Sequence, residues 1–159
     1  MPMIDPKTVK TSQGSSYPAP FDEPCRDREV QRLSAAGGLT QFGVNIVTLP
    51  PGTWSSQRHW HSHEDEFAYV LDGEVVLVED EGETLLRAGD SAAWPGGERN
   101  GHHLQNRSDR DAVFLVAGSR SEEDFGEYPD IDLKFSTGRY AGGLAAVFRH
   151  KNGEPYGEE

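Results

Sequence analysis

Glycine and proline cut this chain into short runs. Eighteen glycines and ten prolines are spread over 159 residues, and the stretches between them are rich in β-branched and aromatic side chains: "LTQFGVNIVTL", "EFAYVLD", "EVVLVED", "ETLLR", "SAAWP" and "AVFLVAG". Such residues suit a pleated, half-buried surface, and a Pro-Pro-Gly like that at 50 to 52 forces the chain to turn. With "SSQRHWH" and "NGHHLQN" added, at least eight strands at short, regular spacing are expected. That pattern implies an all-β fold, a sandwich or barrel of antiparallel strands.

Only 35% of the residues are hydrophobic. They cluster rather than spread thinly, so the middle of the chain has a core to bury, and its length suits one domain. Residues 1–38 are polar, with Ser, Pro and Gly dense in "SQGSSYPAPFDEP". They read as an extended N-terminal arm and not an independent domain, docking through Tyr17 and Phe21 on the barrel or on a partner subunit. Residues 39–118 carry the barrel core. Residues 119–159 complete the same domain with further strands and loops, including a short strand at "AAVFRH" before an Asn-Gly turn.

Fifteen basic against twenty-seven acidic residues leave a net charge of −12. Such a surface repels phosphate backbones and anionic lipid, so neither nucleic acid nor membrane is an expected partner. A lone Cys25 rules out an intramolecular disulfide and a zinc-thiolate cluster, which suits a reducing cytoplasm. The opening "MPMIDPKTVK" has no apolar signal-like region, so a soluble, unexported protein is expected.

The densest chemistry lies in "QRHWHSHEDEF", residues 57 to 67. Alternate side chains of a strand share a face, so His59 and His61 point the same way, about 6.7 Å apart at the α-carbons, while Arg58 and Trp60 point the other way. Two imidazoles so placed can lean onto one ion. Glu66 has the wrong parity for an unbroken strand. The "SHED" segment must therefore bend, so that Glu66 opens the next strand with Ala68 and Val70 on its face and with Phe67, Tyr69 and Leu71 packed behind. His63 is expected in solvent, with a third imidazole ligand as the lesser reading, and Glu64 and Asp65 as turn carboxylates, either of which could orient a ligand ring.

Some forty residues on, "GDSAAWPGGERNGHHLQN" offers a second cluster. His102, Leu104 and Asn106 alternate onto one face with His103 and Gln105 on the other, so at most one of the two adjacent histidines enters a common site. His103 is read as an outward residue or one that supports a ligand. At least two of Trp54, Trp60 and Trp94 are expected in the core.

These two clusters resemble the paired motifs of the cupin superfamily, small β-barrels that read G-x5-H-x-H-x3–4-E-x6-G and then G-x5-P-x-G-x2-H-x3-N. Gly52, His59, His61, Glu66 and Gly73 match the first motif, with one extra residue between Gly52 and His59. Gly89, Pro95, Gly97, His102 and Asn106 match the second, with a two-residue insertion, "NG", before the histidines. The spacing to Asn106 favours His102 over His103. The resemblance spans roughly residues 39 to 118. It implies a double-stranded β-helix, or jelly roll, holding one divalent metal ion on His59, His61, Glu66 and His102. That donor set suits Fe, Mn, Ni or Zn.

The resemblance further implies a metal-dependent enzyme acting on a small organic molecule, dioxygenase-like or sugar isomerase-like. The alternative is a non-catalytic module that binds or senses a small molecule or a metal. A phosphosugar site should show cations, yet Arg58 faces away from His59 and only Arg99 is expected near the mouth. This leans the reading toward an oxygenase or a neutral ligand. Cupins commonly pair, so a homodimer is expected.

Overall fold

The structure is a computed structural model that describes residues 3–157, and it is almost entirely β. In chain order the strands are β1 (Thr11–Gln13), β2 (Glu29–Arg32), β3 (Phe42–Leu49), β4 (Trp60–His61), β5 (Glu66–Asp72), β6 (Glu74–Glu79), β7 (Gly82–Arg87), β8 (Ser91–Trp94), β9 (His103–Gln105), β10 (Ala112–Ser119), β11 (Gly126–Tyr128), β12 (Leu133–Phe135) and β13 (Phe148–Arg149). The helices are single turns, α1 (Leu33–Ala36) and α2 (Arg139–Gly142), beside two short 3-10 turns. No helix among the described residues is long and apolar enough to cross a membrane.

Every strand pairing is antiparallel. One wall is a six-stranded sheet in the order β1-β2-β3-β10-β5-β8. The facing wall is built from β7-β6-β9 and from β13-β12-β11-β4. Isolated bridges between Trp54 and Gln105 and between His59 and His102 tie those two smaller sheets together. Hydrogen bonds do not run round the whole circumference, so the jelly roll is a sandwich of walls more than a closed barrel.

Alternation along each strand fills the space between the walls. Val47 and Leu49 of β3, Ala68 and Val70 of β5, Val75 and Leu77 of β6 and Phe114 of β10 meet in one apolar cluster, capped by Trp94 and Leu104. A second cluster joins Tyr128, Leu133, Phe135, Val147 and Phe148, with Tyr17 and Phe21 against it. The tail supplies most of this second cluster. Tyr17 and Phe21, from the N-terminal segment, close it.

Several expectations need correcting. Within residues 3–38, which the sequence reads as an arm, β1 and β2 add to the edge of the large sheet, with Val30 paired to Val47. Tyr17 meets Tyr128 edge-on at 5.4 Å, so this segment docks on its own chain. Phe67, Tyr69 and Leu71 do not pack behind β5; they lie 40 to 46% exposed on the outer face of the sheet. "AAVFRH" is not one strand, since Leu144–Val147 wind as a 3-10 turn before β13. The apolar run there contains two alanines, which pack no better in a strand than in a turn.

Candidate metal centre

His61 ends β4 and Glu66 starts β5, and the bend between them returns Glu66 to the same interior. The turn is held by motif glycine Gly97, whose φ of +90° aims its N–H at the His61 carbonyl, 2.9 Å away. A side chain at that φ would be strained. On the other flank Gly126 lets β11 approach β4, because a Cβ there would run into the Trp60 carbonyl and the Phe135 ring.

The structure brings His59, His61, Glu66 and His102 together. Around Glu66 Oε2 stand three imidazole Nε2 atoms, those of His102 at 2.9 Å, His61 at 3.5 Å and His59 at 3.8 Å. Each ring is oriented through its other nitrogen. His59 Nδ1 lies 2.8 Å from the Gln57 carbonyl, His102 Nδ1 3.0 Å from the Asn100 carbonyl, and His61 Nδ1 2.7 Å from Asp124 Oδ2. A carbonyl only accepts hydrogen bonds, so Nδ1 of His59 and of His102 must carry the proton. In the neutral rings the lone pairs at Nε2 then all face one carboxylate oxygen.

That arrangement is repulsive unless positive charge lies between the groups. Protonating the rings would supply it, but burial and the neighbouring His61 push His59 down to about 3. Burial works to raise the Glu66 carboxyl, yet any proton taken up by this cluster goes to the imidazoles, His102 foremost, which holds the carboxyl well below the carboxylate range. Three neutral imidazoles and an ionised carboxylate are what a divalent ion of intermediate softness requires. The residues present therefore fit the implied metal.

Second-layer partners are built in. Trp94 stacks on His102 with centroids 4.0 Å apart and planes 4° from parallel, fixing the ring. The inserted "NG" has a role here, because the Asn100 carbonyl sets the His102 tautomer. His103 goes elsewhere: its Nδ1 donates to the Ser56 carbonyl at 2.8 Å and its ring meets Trp54 edge-on. It is buried and not outward. Asn106 is fully buried, but its amide ties Leu49 and Arg110 carbonyls across a turn and does not enter the cavity. His63 is exposed, as expected.

Glu64 departs from the reading as a turn carboxylate. It is 4% exposed, accepts from the Ser121 N–H at 2.8 Å and the Tyr140 hydroxyl at 2.6 Å, and pairs with Arg139. Asp124 is fully buried beside it and takes further hydrogen bonds from Ser62 Oγ and the His63 N–H. Burial opposes its ionisation, but the hydrogen bond from His61 keeps its pKa below the ordinary value. Asp124 escaped the sequence reading because "SEEDFGE" looks like any solvated acidic loop.

The four residues stand in the wall of a cavity of about 450 Å³. Its lining also includes Tyr17, Tyr128, Asn45 and four arginines, Arg28, Arg32, Arg120 and Arg139. Arg99, expected at the mouth, instead lies over the Trp60 ring at 5.0 Å. The expectation of a cation-poor pocket is thus corrected. Net charge is a property of the whole surface, and the cavity collects its cations from segments outside the motifs. "REVQR", whose residues 28, 30 and 32 share one face, was the available signal.

Comparison with known proteins agrees with this geometry. The profile of the cupin domain family matches residues 45–118. A protein of Mycobacterium tuberculosis named as a beta-D-galactosidase is 33% identical over 110 residues, 69% of this chain and 90% of that protein. The chain belongs to the cupin superfamily. Among solved structures, this cupin is similar to a sugar phosphate isomerase of the same superfamily from Silicibacter pomeroyi, with 42% identity and a TM-score of 0.90 over 98% of this chain and 97% of the other. A structure from Acidithiobacillus ferrooxidans is similar at 25% identity and a TM-score of 0.71, covering 84% of this cupin and 82% of its counterpart.

Proposed function

We propose that this cupin is a metal-dependent enzyme that interconverts isomers of a small sugar inside the cavity. The observation that carries the reading is the convergence of three Nε2 lone pairs on the Glu66 carboxylate at the wall of the cavity. His59, His61, Glu66 and His102 would hold one divalent ion. When bound, the ion supplies Lewis acidity toward a carbonyl oxygen and its neighbouring hydroxyl.

The chain's own residues supply the rest. Tyr17 lines the cavity, and burial pushes its hydroxyl up to about 12, so it keeps its proton through the neutral range. The Tyr128 hydroxyl is likewise raised by burial, and its ring meets that of Tyr17 edge-on. These two hydroxyls can orient sugar oxygens without themselves ionising. Glu64 is bound by three donors, so it holds the wall formed by Arg139 and Tyr140 and is poorly placed to move a proton. Apolar Val47, Ala68 and Phe114 line the same space and limit water around the substrate.

The Silicibacter pomeroyi protein, matched over nearly the whole chain, is named as a sugar phosphate isomerase, and the Mycobacterium tuberculosis relative also carries a sugar enzyme's name. Both support a sugar substrate, where the sequence alone leans toward an oxygenase or a neutral ligand. The test is to purify the protein without chelators or affinity metals, measure its metal content, and follow aldose and ketose mixtures by NMR. Interconversion that disappears in His61→Ala is expected. Metal-dependent oxygen uptake without isomerisation, or ligand binding without turnover, would overturn the reading.

A further inference from the structure

The large sheet places a second, cationic feature at a fixed offset from the histidine cluster. Glu66 of β5 is in register with Gly118 of β10, and Gly118 with Gly43 of β3. Gly43 therefore stands two strand spacings from Glu66, about 10 Å along the sheet. Gly43 has no side chain, and the Arg120 guanidinium occupies the space above it, 3.5 Å from where a Cβ would lie. Asn45 follows one pleat along on the same face and is the cross-strand partner of Arg32. All four residues line the cavity.

The two guanidiniums are not spent on acids. Arg32 donates to Ser12 Oγ and Arg120 to the Leu39 carbonyl, and neither pairs with a carboxylate among the described residues. Each has five N–H groups, so most remain available. Partial desolvation lowers the Arg32 pKa, and the like charge of Arg28, the residue just before β2, lowers it further. In a chain of net charge −12, two cations without carboxylate partners on one cavity are suited to receive an anion.

We propose that Arg32, Asn45 and Arg120 form a subsite for the phosphoryl group of a short phosphorylated sugar whose reacting end lies at the histidine cluster. This rests on the sugar reading above and names its substrate class. The guanidiniums grip phosphate oxygens with charge-assisted hydrogen bonds, and the Asn45 amide can donate a further one. The offset across β3, β10 and β5 sets the distance between the anchored and reacting ends. Unphosphorylated sugars would lack the anchor.

The experiment is calorimetric titration of inorganic phosphate into the metal-loaded protein at low salt, repeated with Arg32→Gln, Arg120→Gln and, as a control, solvent-facing His63→Gln. Loss of one charge-assisted contact is worth about tenfold in affinity. We expect each arginine variant to weaken phosphate binding about tenfold and His63→Gln to leave it unchanged. Equal binding by wild type and both arginine variants would overturn the subsite, as would phosphate binding that vanishes only when the metal is stripped, which would put the anion at the histidines. A preference for sugar carboxylates over phosphate esters, measured by the same titration, would overturn the phosphoryl assignment. Turnover separates the two claims: arginine-dependent phosphate binding without isomerisation sinks the isomerase and supports the subsite, and isomerisation with arginine-independent phosphate binding does the reverse.

Discussion

His61 Nδ1 lies 2.7 Å from a carboxylate oxygen of fully buried Asp124, 63 residues away in the chain. This contact fixes the ring so that Nε2 faces Glu66. Replacing Asp124 by Asn keeps the shape but removes the charge that makes the imidazole a better donor to a cation. Metal affinity should fall about 10-fold to 100-fold in Asp124→Asn, measured by competition with a coloured chelator. Unchanged affinity would show that Asp124 serves only the fold.

His61 and His63 differ in what they face, the cavity in one case and solvent in the other. His61→Ala should lower metal content and thermal midpoint together, and His63→Ala should lower neither. Elemental analysis and a melting curve on each variant check this. Equal losses would mean that the ligand pair has been misassigned.

Acid should empty the site and weaken the fold. His59 is held near 3 by burial and by His61, whereas in the unfolded chain it titrates near 6.5. The unfolded chain therefore gains a proton that the folded one refuses, so stability falls as pH drops from about 6.5 toward 3. Protons compete with the metal over the same range. Melting curves and metal retention across this window should decline together; a flat profile down to pH 4 would contradict the assignment.

Alkali should act through Cys25, which is fully buried with its thiol pushed from 9.0 to about 11, chiefly by desolvation. The folded state keeps the proton that the unfolded state loses, so this contribution is complete below pH 9 and is lost as pH rises through about 11. Two units correspond to roughly 2 to 3 kcal/mol. Native protein should also resist alkylation at pH 8 while urea-unfolded protein reacts at once. Rapid labelling of the native thiol would count against the buried placement.

The N-terminal segment should contribute to stability within one chain. Tyr17 packs on Tyr128 and Phe148, and its hydroxyl accepts the Gln57 N–H. Tyr17→Ala should cost about 3 kcal/mol or more, as large aromatic truncations do, seen as a lower midpoint in urea at any protein concentration. A loss that appears only on dilution would show that the segment acts between subunits instead.

Much of the strand order around the motifs was legible in the sequence. Alternation placed His59 with His61 and parity required the bend before Glu66; both are local rules, because a side chain's face is set by its position in the strand. The choice of His102 came instead from its match to the second cupin motif, whose spacing to Asn106 it keeps. The N-terminal strands were harder to see, since β1 has three residues and β2 four, with one buried residue between them.

By itself, then, the sequence pointed to the β class through periodicity and turn chemistry, which are written into neighbouring positions, and to the four residues at the cavity wall through their match to the cupin motifs. Only the tertiary structure decided what surrounds them. Asp124 behind His61, Glu64 locked to Arg139, and Arg32 and Arg120 beside Asn45 depend on which strands become neighbours in the sheets. Those contacts span up to 75 residues, and pairing across such distances is chosen by the packing of the whole core, a sum over many side chains that no short stretch contains.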